Sequence, residues 1–256
     1  IKNFFCDITD YENVNKIIKE VSPDLILFLP SSRYQELSIN NDYDIHYEIN
    51  VRGLNNVVNS IKVNKFDSRI IFLNSYAANI NDTGSNYHFE NYVKSKSEAS
   101  KIFNEYINLK FIYGNEIRLS TVYGPWDYSN RLIINVILNI LLKREVNLKS
   151  PYSVRDFIFV SDVVEAIIKI INHQEINGRI FQISSGYPYS VFEVVNKIYK
   201  IMNLQFVKNY KIKEKTVIHS DNSLAKKILL WSPKIDIDTG LELTIDWVNK
   251  YKKYYA

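Results

Sequence analysis

Short apolar runs alternate with amphipathic stretches of helical period along most of the chain. DLILFL at Asp24 and RIIFLNS at Arg69 are rich in branched apolar residues and have the length of buried strands. YENVNKIIKEV, beginning at Tyr11, instead repeats its apolar residues every three or four positions, as an amphipathic helix does. Strands that alternate with helices are typical of a parallel sheet covered by helices. The pattern therefore predicts an α/β, doubly wound fold.

The alternation is regular up to Pro151 and less regular afterwards, so we expect the later segments to form a smaller attached lobe. Ser161 is expected to cap the helix that follows it, because a serine before an apolar periodic stretch accepts hydrogen bonds from free N–H groups. The predicted strands or extended segments are residues 2–7, 24–29, 69–75, 115–122, 154–160 and 179–184. The predicted helices are residues 11–21, 43–62, 90–110, 131–144, 161–172, 191–201, 223–229 and 239–252.

The composition of the 256-residue chain narrows the class of protein. With 46% apolar residues, the chain can bury a substantial core. Its net charge of +4 comes from lysines spread along the whole sequence, so no nucleic-acid partner is expected. The longest apolar runs are shorter than the roughly 20 residues of a membrane span, and no secretory segment opens the chain. We therefore expect no membrane association and a cytoplasmic location.

Cysteine and histidine are scarce. Cys6 is the single cysteine, and the 4 histidines lack the spacing of a structural zinc site, so neither a disulfide nor a metal site is predicted. The chain begins with Ile1, and its one methionine is Met202. We therefore expect the sequence to be a fragment or a processed chain.

A tyrosine is followed four residues later by a lysine twice within one predicted helix, as Tyr92 with Lys96 and as Tyr106 with Lys110. This spacing places both side chains on one helix face, and in most proteins it is only a surface pair. Helical geometry is not expected to persist to Lys110, because the sequence there passes into the next strand. Tyr92 follows a strand that ends at Ser75, and parallel sheets bind ligands beyond the carboxyl ends of strands. Tyr92 and Lys96 are therefore the predicted functional pair.

A series of short motifs extends from about Phe4 to the C-terminal helix. They are CDITD at Cys6, PDLILFLPSS at Pro23, NVRGLNNVV at Asn50, FLNS at Phe72, YVKSK at Tyr92, IRLSTVYGP at Ile117, RDFIFVSDVVEAI at Arg155, FQISSG at Phe181 and LLWSPKIDIDTGLELTIDWV at Leu229. In this order and at this spacing, the motifs resemble those of the extended short-chain dehydrogenases/reductases. The resemblance is to their NAD-dependent epimerase/dehydratase group, which acts on nucleotide sugars and has a Rossmann-type sheet.

The sequence departs from the family pattern in two places. The family opens with a strand, a G-x-x-G-x-x-G turn and a helix, and none of the 7 glycines here forms that turn. Because residues 2–10 resemble the third strand of the family fold, we expect the first β-α-β unit to be missing. We therefore expect the fragment by itself to bind dinucleotide weakly or not at all and to be inactive. The segment after Ser75 also lacks the usual V-Y-G, which leaves its substrate contacts open.

The resemblance implies hydride transfer between a sugar carbon and NAD or NADP, together with proton transfer at the sugar oxygen. Tyr92 is implied as the proton carrier, and Lys96 as the cation that favours its phenolate and binds the nicotinamide ribose. Ser75 is implied as a hydrogen-bonding partner of the reacting oxygen. The implied cofactor-binding residues are Asp7, Ile8, Leu29, Pro30, Ser31, Asn50, Tyr92 and Lys96, and the implied substrate-binding residues are Ser75, Thr121, Arg131 and Arg155.

Three of these residues have ordinary structural alternatives. Asp7 could be a turn residue before a helix, Ser75 a strand-end cap, and Arg155 an ion-pair partner of Asp156 or Asp162. The resemblance also implies that residues 1–124 with 157–184 bind NAD(P) and that residues 125–156 with 185–256 bind a nucleotide sugar. It further implies a homodimer.

The predicted reaction is epimerisation at C4 of a nucleotide sugar, with reduction of a 4-keto-sugar as the alternative. A non-catalytic NAD(P)-binding protein is less favoured, because it would have no chemical need for the three catalytic residues. Dehydration is disfavoured, because Tyr76 and Ala77 follow Ser75 in place of the family's Asp-Glu pair. Epimerisation at C3 or C5 needs a further acid/base residue, and Cys6 is expected on the adenine side. Which sugar and which nucleotide are bound stays open.

Overall fold

The structure is a computed structural model that describes residues 1–32, 43–79, 90–208, 210 and 220–255. The chain folds as two compact units. The first unit comprises Ile1–Arg118 and Ile170–Phe181, and the second comprises Leu119–Lys169 and Gln182–Ala256. The assignment of the cofactor and the sugar to separate parts of the chain stays a prediction.

Strands and helices alternate through most of the described residues. The strands are β1 (Leu25–Phe28), β2 (Arg69–Ser75), β3 (Tyr113–Leu119), β4 (Thr121–Tyr123), β5 (Val154–Phe159), β6 (Ile180–Ile183) and β7 (Pro188–Ser190). The α-helices are α1 (Tyr11–Val21), α2 (Tyr43–Tyr47), α3 (Gly53–Asn64), α4 (Glu90–Asn108), α5 (Leu132–Leu141), α6 (Val160–Asn172), α7 (Val191–Ile201), α8 (Ser223–Leu229) and α9 (Ile237–Tyr251). The shorter segments are a π-helix, Glu48–Arg52, and two 3-10 helices, Tyr76–Asn79 and Lys252–Tyr254.

The strands form two sheets. The larger sheet has the strand order β1, β2, β3, β6, and β1 runs parallel to β2 with Leu25 opposite Arg69 and Phe28 opposite Phe72. In the second unit β5 lies between β4, its parallel partner, and β7, its antiparallel partner. Helices separate the parallel strands along the chain, which confirms the predicted α/β fold with a parallel sheet.

Apolar packing in the first unit places α4 over β2. Phe72 of β2 contacts Phe103 of α4, with ring centroids 5.2 Å apart, and both rings are buried. On the other side of this core, α1 packs against α3 through Val14 and Ile18. The N-terminal end of α1 is fixed by the Asp10 carboxylate, which accepts a hydrogen bond from the Asn13 N–H at 3.2 Å.

The second unit has its own core. Helices α5, α7 and α9 pack on one another, and α9 also packs on β5, so that Ile134, Val194 and Leu241 are fully buried. The start of α7 is fixed by a capping box, in which Ser190 and Glu193 each satisfy the backbone N–H of the other. Within the described residues of both units, no helix combines the length and apolar composition that crossing a membrane requires.

Two predictions about strands are wrong. Residues 2–7 form no strand, because no described strand lies beside them to exchange backbone hydrogen bonds, and Phe5 is fully exposed. The predicted strand 115–122 is divided between two sheets, since β3 ends at Leu119 and β4, which pairs with β5, begins at Thr121.

Two predictions about helices are also wrong. The predicted helix 43–62 is interrupted by the π-helical segment, which contains the buried polar residue Asn50, and such wider turns often occur at functional sites. Ser161 does not cap α6, because β5 ends at Phe159 and α6 begins directly at Val160. The Asp162 carboxylate instead accepts a hydrogen bond from the Ile235 N–H at 3.0 Å.

We predict that Gly114→Ala destabilises the protein by about 3 kcal/mol or more. Gly114 lies in β3 at φ 154°, and a Cβ atom there would come within 1.8 Å of the Ile70 carbonyl oxygen in β2. Gly178→Ala is the matched control, because its added methyl would meet only the Ile107 side chain at 3.2 Å, at φ 67°. The control should lose about 1–2 kcal/mol from backbone strain alone. Urea unfolding measures both, and equal losses would contradict the close approach of the two strands.

Candidate active site

Ser75 is the last residue of β2, as the sequence predicts for a residue at the ligand-binding edge of the sheet. Its backbone N–H donates to Asn74 Oδ1 at 2.8 Å, and its Oγ accepts from the Ala77 N–H at 3.2 Å. The hydroxyl therefore caps the 3-10 helix Tyr76–Asn79, which is the structural role foreseen as an alternative. Capping uses an oxygen lone pair, so the O–H group is still able to donate to a ligand.

Tyr92 and Lys96 share one face of α4 near its N-terminal end. The Lys96 Nζ lies 5.8 Å from the centroid of the Tyr92 ring, and α4 packs against β2 and against the 3-10 helix that follows Ser75. The structure thus brings the elements that carry the three predicted catalytic residues together within the first unit. A cation near the phenol ring favours its ionised form.

The second Tyr/Lys pair does not form. Helix α4 ends at Asn108, and Lys110 adopts a left-handed backbone conformation with φ 57°. The Tyr106 hydroxyl instead donates to Asn55 Oδ1 at 3.1 Å. The predicted end of helical geometry before Lys110 is confirmed.

Lys96 is almost completely buried, with 2% of its surface exposed. Burial lowers the pKa of its ammonium to about 7, an effect that the carboxylate of Glu116 partly opposes. A buried ammonium in this state is a strong donor for the oxygens of a polar ligand.

A buried polar network connects the loop after β1 with α4. Asn50 Oδ1 accepts from the Ser32 N–H at 3.0 Å, and its Nδ2 donates to Ser32 Oγ at 2.7 Å and to Ser95 Oγ at 2.9 Å. Ser95 Oγ in turn donates to the Tyr92 carbonyl at 2.8 Å. Asn50 therefore holds the loop after β1 and helix α4 in one arrangement.

His46 joins the same network from α2. Its Nδ1 lies 2.7 Å from Ser32 Oγ, and its fully buried ring meets the Tyr92 ring edge-on with centroids 5.7 Å apart. Sequence reasoning missed His46, Ser32 and Ser95. The available signal was the spacing of His46 four residues before Asn50, which places both on one helix face.

The remaining predicted cofactor residues lie on two loops of the first unit. Leu29, Pro30 and Ser31 follow β1, whose carboxyl end adjoins that of its parallel neighbour β2. Ile8 is anchored on α3, where Asn56 Nδ2 donates to its carbonyl at 2.9 Å and Gly53 leaves room for its side chain.

Asp7 has the turn geometry foreseen as its structural alternative. Its Oδ1 accepts from both the N–H and the Oγ1 of Thr9, each at 2.9 Å. These hydrogen bonds stabilise the carboxylate and lower its pKa. The contact of Asp7 with an adenine stays a prediction.

The three predicted substrate residues other than Ser75 belong to the second unit. Thr121 begins β4, and Arg131 precedes α5 and lies 3.7 Å from the Asp127 carboxylate. Arg155 lies in β5 and, within the described residues, pairs with neither of its foreseen partners. The Asp156 carboxylate accepts from the backbone N–H groups of Ser185 and Gly186 at 2.7 and 2.8 Å, so it is engaged elsewhere.

Comparison with protein families matches residues 2–184 to the NAD dependent epimerase/dehydratase family. The chain belongs to this family. A UDP-glucuronate 4-epimerase of Thermodesulfobacterium geofontis is 22% identical over 259 residues, which cover 96% of this chain and 79% of the relative.

Two solved structures illustrate the shared fold of this epimerase/dehydratase. The dTDP-glucose 4,6-dehydratase of Bacillus anthracis, solved in complex with NAD, superimposes with a TM-score of 0.80 at 20% identity, covering 98% of this chain and 80% of the other. The UDP-glucose 4-epimerase of Thermotoga maritima, solved with UDP-glucose, gives a TM-score of 0.80 at 19% identity, covering 96% and 84%. At this identity the likeness establishes the fold and leaves the reaction to the site residues.

We predict that Lys96→Met stabilises the epimerase/dehydratase fold most at low pH. Below pH 7 the lysine is charged in both states, so the folded state bears the full cost of burying the ammonium. Between pH 7 and the unfolded pKa of about 10.4, the folded state releases its proton first. The native chain should then gain up to about 1.4 kcal/mol per pH unit relative to the variant.

Urea unfolding of both proteins from pH 6 to pH 10 measures this difference. Lys94→Met, on the same helix but solvent-exposed, is the control and should show no such pH dependence. A difference between native chain and Lys96→Met that stays constant with pH would contradict the burial of a titrating ammonium.

Proposed function

We propose that this chain is an NAD(P)-dependent nucleotide-sugar epimerase that oxidises C4 of the sugar and reduces the resulting 4-keto group on the opposite face. The observation that carries the proposal is the buried Lys96 ammonium beside Tyr92, on a helix packed against the strand that ends at Ser75. Family membership supports the same class of chemistry.

The described residues fit a nicotinamide dinucleotide at the carboxyl edge of the larger sheet. Lys96 has a buried ammonium, which can donate hydrogen bonds to ribose hydroxyls. Leu29, Pro30 and Ser31 follow β1, the parallel neighbour of β2, and the Ile8 side chain packs on Gly53 of α3. The cofactor, when bound, accepts and returns the hydride.

The residues of the chain have separate tasks in this reaction. Tyr92, as phenolate, removes the proton of the C4 hydroxyl and returns one when the ketone is reduced. Lys96 stabilises the phenolate through its positive charge, and the Ser75 hydroxyl donates to the reacting oxygen and fixes its position. Because the same three groups serve both directions, a 4-keto-sugar reductase on this scaffold would need no other acid or base.

The residues after Ser75 argue against sugar dehydration. Elimination of a hydroxyl needs an acid and a base next to the catalytic serine. Tyr76 is a phenol, and Ala77 is an apolar residue with 2% of its surface exposed. Neither can perform the two proton transfers together, so the proposed reaction ends with reduction at C4.

Substrate recognition is assigned to residues of the second unit. Arg155, unpaired with the nearby aspartates, is proposed to bind the nucleotide phosphates through its planar cationic fork. Thr121 and Arg131 are proposed as weaker contacts to the sugar or the nucleotide. The homodimer and the cytoplasmic location stay predictions.

We expect Tyr92→Phe to lower turnover at least about 100-fold, because the variant retains the ring but loses the proton carrier. Tyr106→Phe is the matched control, since its hydroxyl donates to Asn55 on α3, and the change should leave turnover within about twofold. Steady-state assays with the full-length protein measure both. Equal losses in the two variants would show that the wrong tyrosine was assigned.

Cofactor stoichiometry should separate epimerase from reductase. Incubation with UDP-glucose, UDP-glucuronate and dTDP-glucose at catalytic amounts of NAD should convert one of them to its C4 epimer with no net change in NADH absorbance. Net consumption of NADH or NADPH with a 4-keto-sugar would instead identify a reductase. Release of a 4-keto-6-deoxy sugar from an unmodified hexose would overturn the exclusion of dehydration.

A further inference from the structure

A fully buried carboxylate lies behind the catalytic pair. Glu116, in the middle of β3, has no exposed surface. Its two oxygens accept four side-chain hydrogen bonds within the first unit, and its charge opposes the lowering of the Lys96 pKa by burial. The four donors are Asn74 Nδ2 at 2.9 Å, Arg118 Nε at 2.8 Å, Ser100 Oγ at 2.7 Å and Asn104 Nδ2 at 3.0 Å.

Two of these donors continue the catalytic face of α4. Tyr92, Lys96, Ser100 and Asn104 follow one another at four-residue intervals, which places them along one side of the helix. Ser100 and Asn104 bind the carboxylate directly, so Glu116 holds the helix one and two turns beyond Lys96.

Asn74 connects the carboxylate to the catalytic residues themselves. Its Nδ2 donates both to Glu116 Oε1 at 2.9 Å and to the Lys96 carbonyl at 3.2 Å. Its Oδ1 accepts from the Ser75 N–H at 2.8 Å. One amide therefore links Glu116, Lys96 and Ser75.

The charged groups near Glu116 determine whether the Lys96 ammonium keeps its proton. Arg118 shares the Glu116 carboxylate and has only 13% of its side chain exposed. Among the described residues, Glu116 of β3 acts on the Lys96 ammonium, Arg118 pairs with that carboxylate, and His46 of α2 meets the Tyr92 ring. Without the Glu116 carboxylate, the burial of Lys96 would lower the pKa of its ammonium with no opposing negative charge.

We propose that Glu116 is a positioning residue that keeps the Lys96 ammonium charged and holds α4 against the strand that ends at Ser75. Through Lys96 it sets the pH range in which Tyr92 works, and this second part rests on the proposed function. The charge of Lys96 itself is measurable without cofactor or substrate.

The experiment measures the titration of Lys96 in three backgrounds: the native chain, Glu116→Gln and Asn104→Ala. In each, the stability to urea is compared with that of the same protein carrying Lys96→Met, from pH 5 to pH 10. The pH at which the two stabilities begin to converge marks the loss of the Lys96 proton in the folded state. Asn104→Ala is the matched control, because it removes one donor to the carboxylate without changing its charge.

In Glu116→Gln, convergence should begin at least about one pH unit lower than in the native chain, a tenfold loss of proton affinity. In Asn104→Ala it should begin at the native pH. Arg118→Gln provides an independent arm if Glu116→Gln does not fold: removing the competing cation should move the onset to higher pH. An unchanged onset in the folded variants of Glu116 and Arg118 would overturn the proposal.

The pH dependence of kcat/KM in the same variants tests the catalytic part. The fall of activity at alkaline pH should begin at lower pH in Glu116→Gln and be unchanged in Asn104→Ala. Absence of turnover in every protein, the native chain included, would count against the proposed function, while the Lys96 titration still decides the role of Glu116. A shifted titration with an unshifted activity profile would overturn the link to Tyr92.

Discussion

The burial of the Lys96 ammonium is the constraint around which the first unit is organised. Moving a cation out of water costs several kcal/mol unless charges and dipoles replace the lost hydration. Here burial lowers the pKa of the ammonium to about 7, and the Glu116 carboxylate opposes only part of that effect. A methionine at this position would pack without that cost. The fold therefore loses stability by keeping this amine buried 5.8 Å from the Tyr92 ring.

Polar contacts on two sides of α4 limit that cost by fixing the helix in place. On one side Asn50 binds Ser32 and Ser95, and on the other Asn74 binds Lys96 and Glu116. Most of these groups are buried with their hydrogen bonds made, which is the condition under which a polar network rigidifies a core.

The sequence was sufficient for the fold class and for the local part of the site. The period of apolar residues located most helices and strands, and the end of the helix before Lys110 followed from the strand pattern after it. The sequence could not predict contacts between residues that are distant along the chain. In the sequence, Glu116 is one polar residue within a predicted strand, and only the contacts of β3 with α4 show that it is buried. The prediction of a strand at residues 2–7 was wrong because a segment with strand-like composition forms a strand only when a neighbouring strand pairs with it.

Apolar packing and amide hydrogen bonds have different parts in positioning the catalytic helix. The contact of Phe72 with Phe103 sets the distance between β2 and α4, but an apolar contact tolerates rotation of the helix about its own axis. The Asn74 amide removes that freedom, since its donors and acceptor must meet the Lys96 carbonyl, Glu116 and the Ser75 N–H at once. Rotation of α4 would break the contact of Asn74 with the Lys96 carbonyl, together with those of Ser100 and Asn104 with Glu116. Polar geometry therefore specifies the rotation of α4, while the apolar core sets its distance from β2.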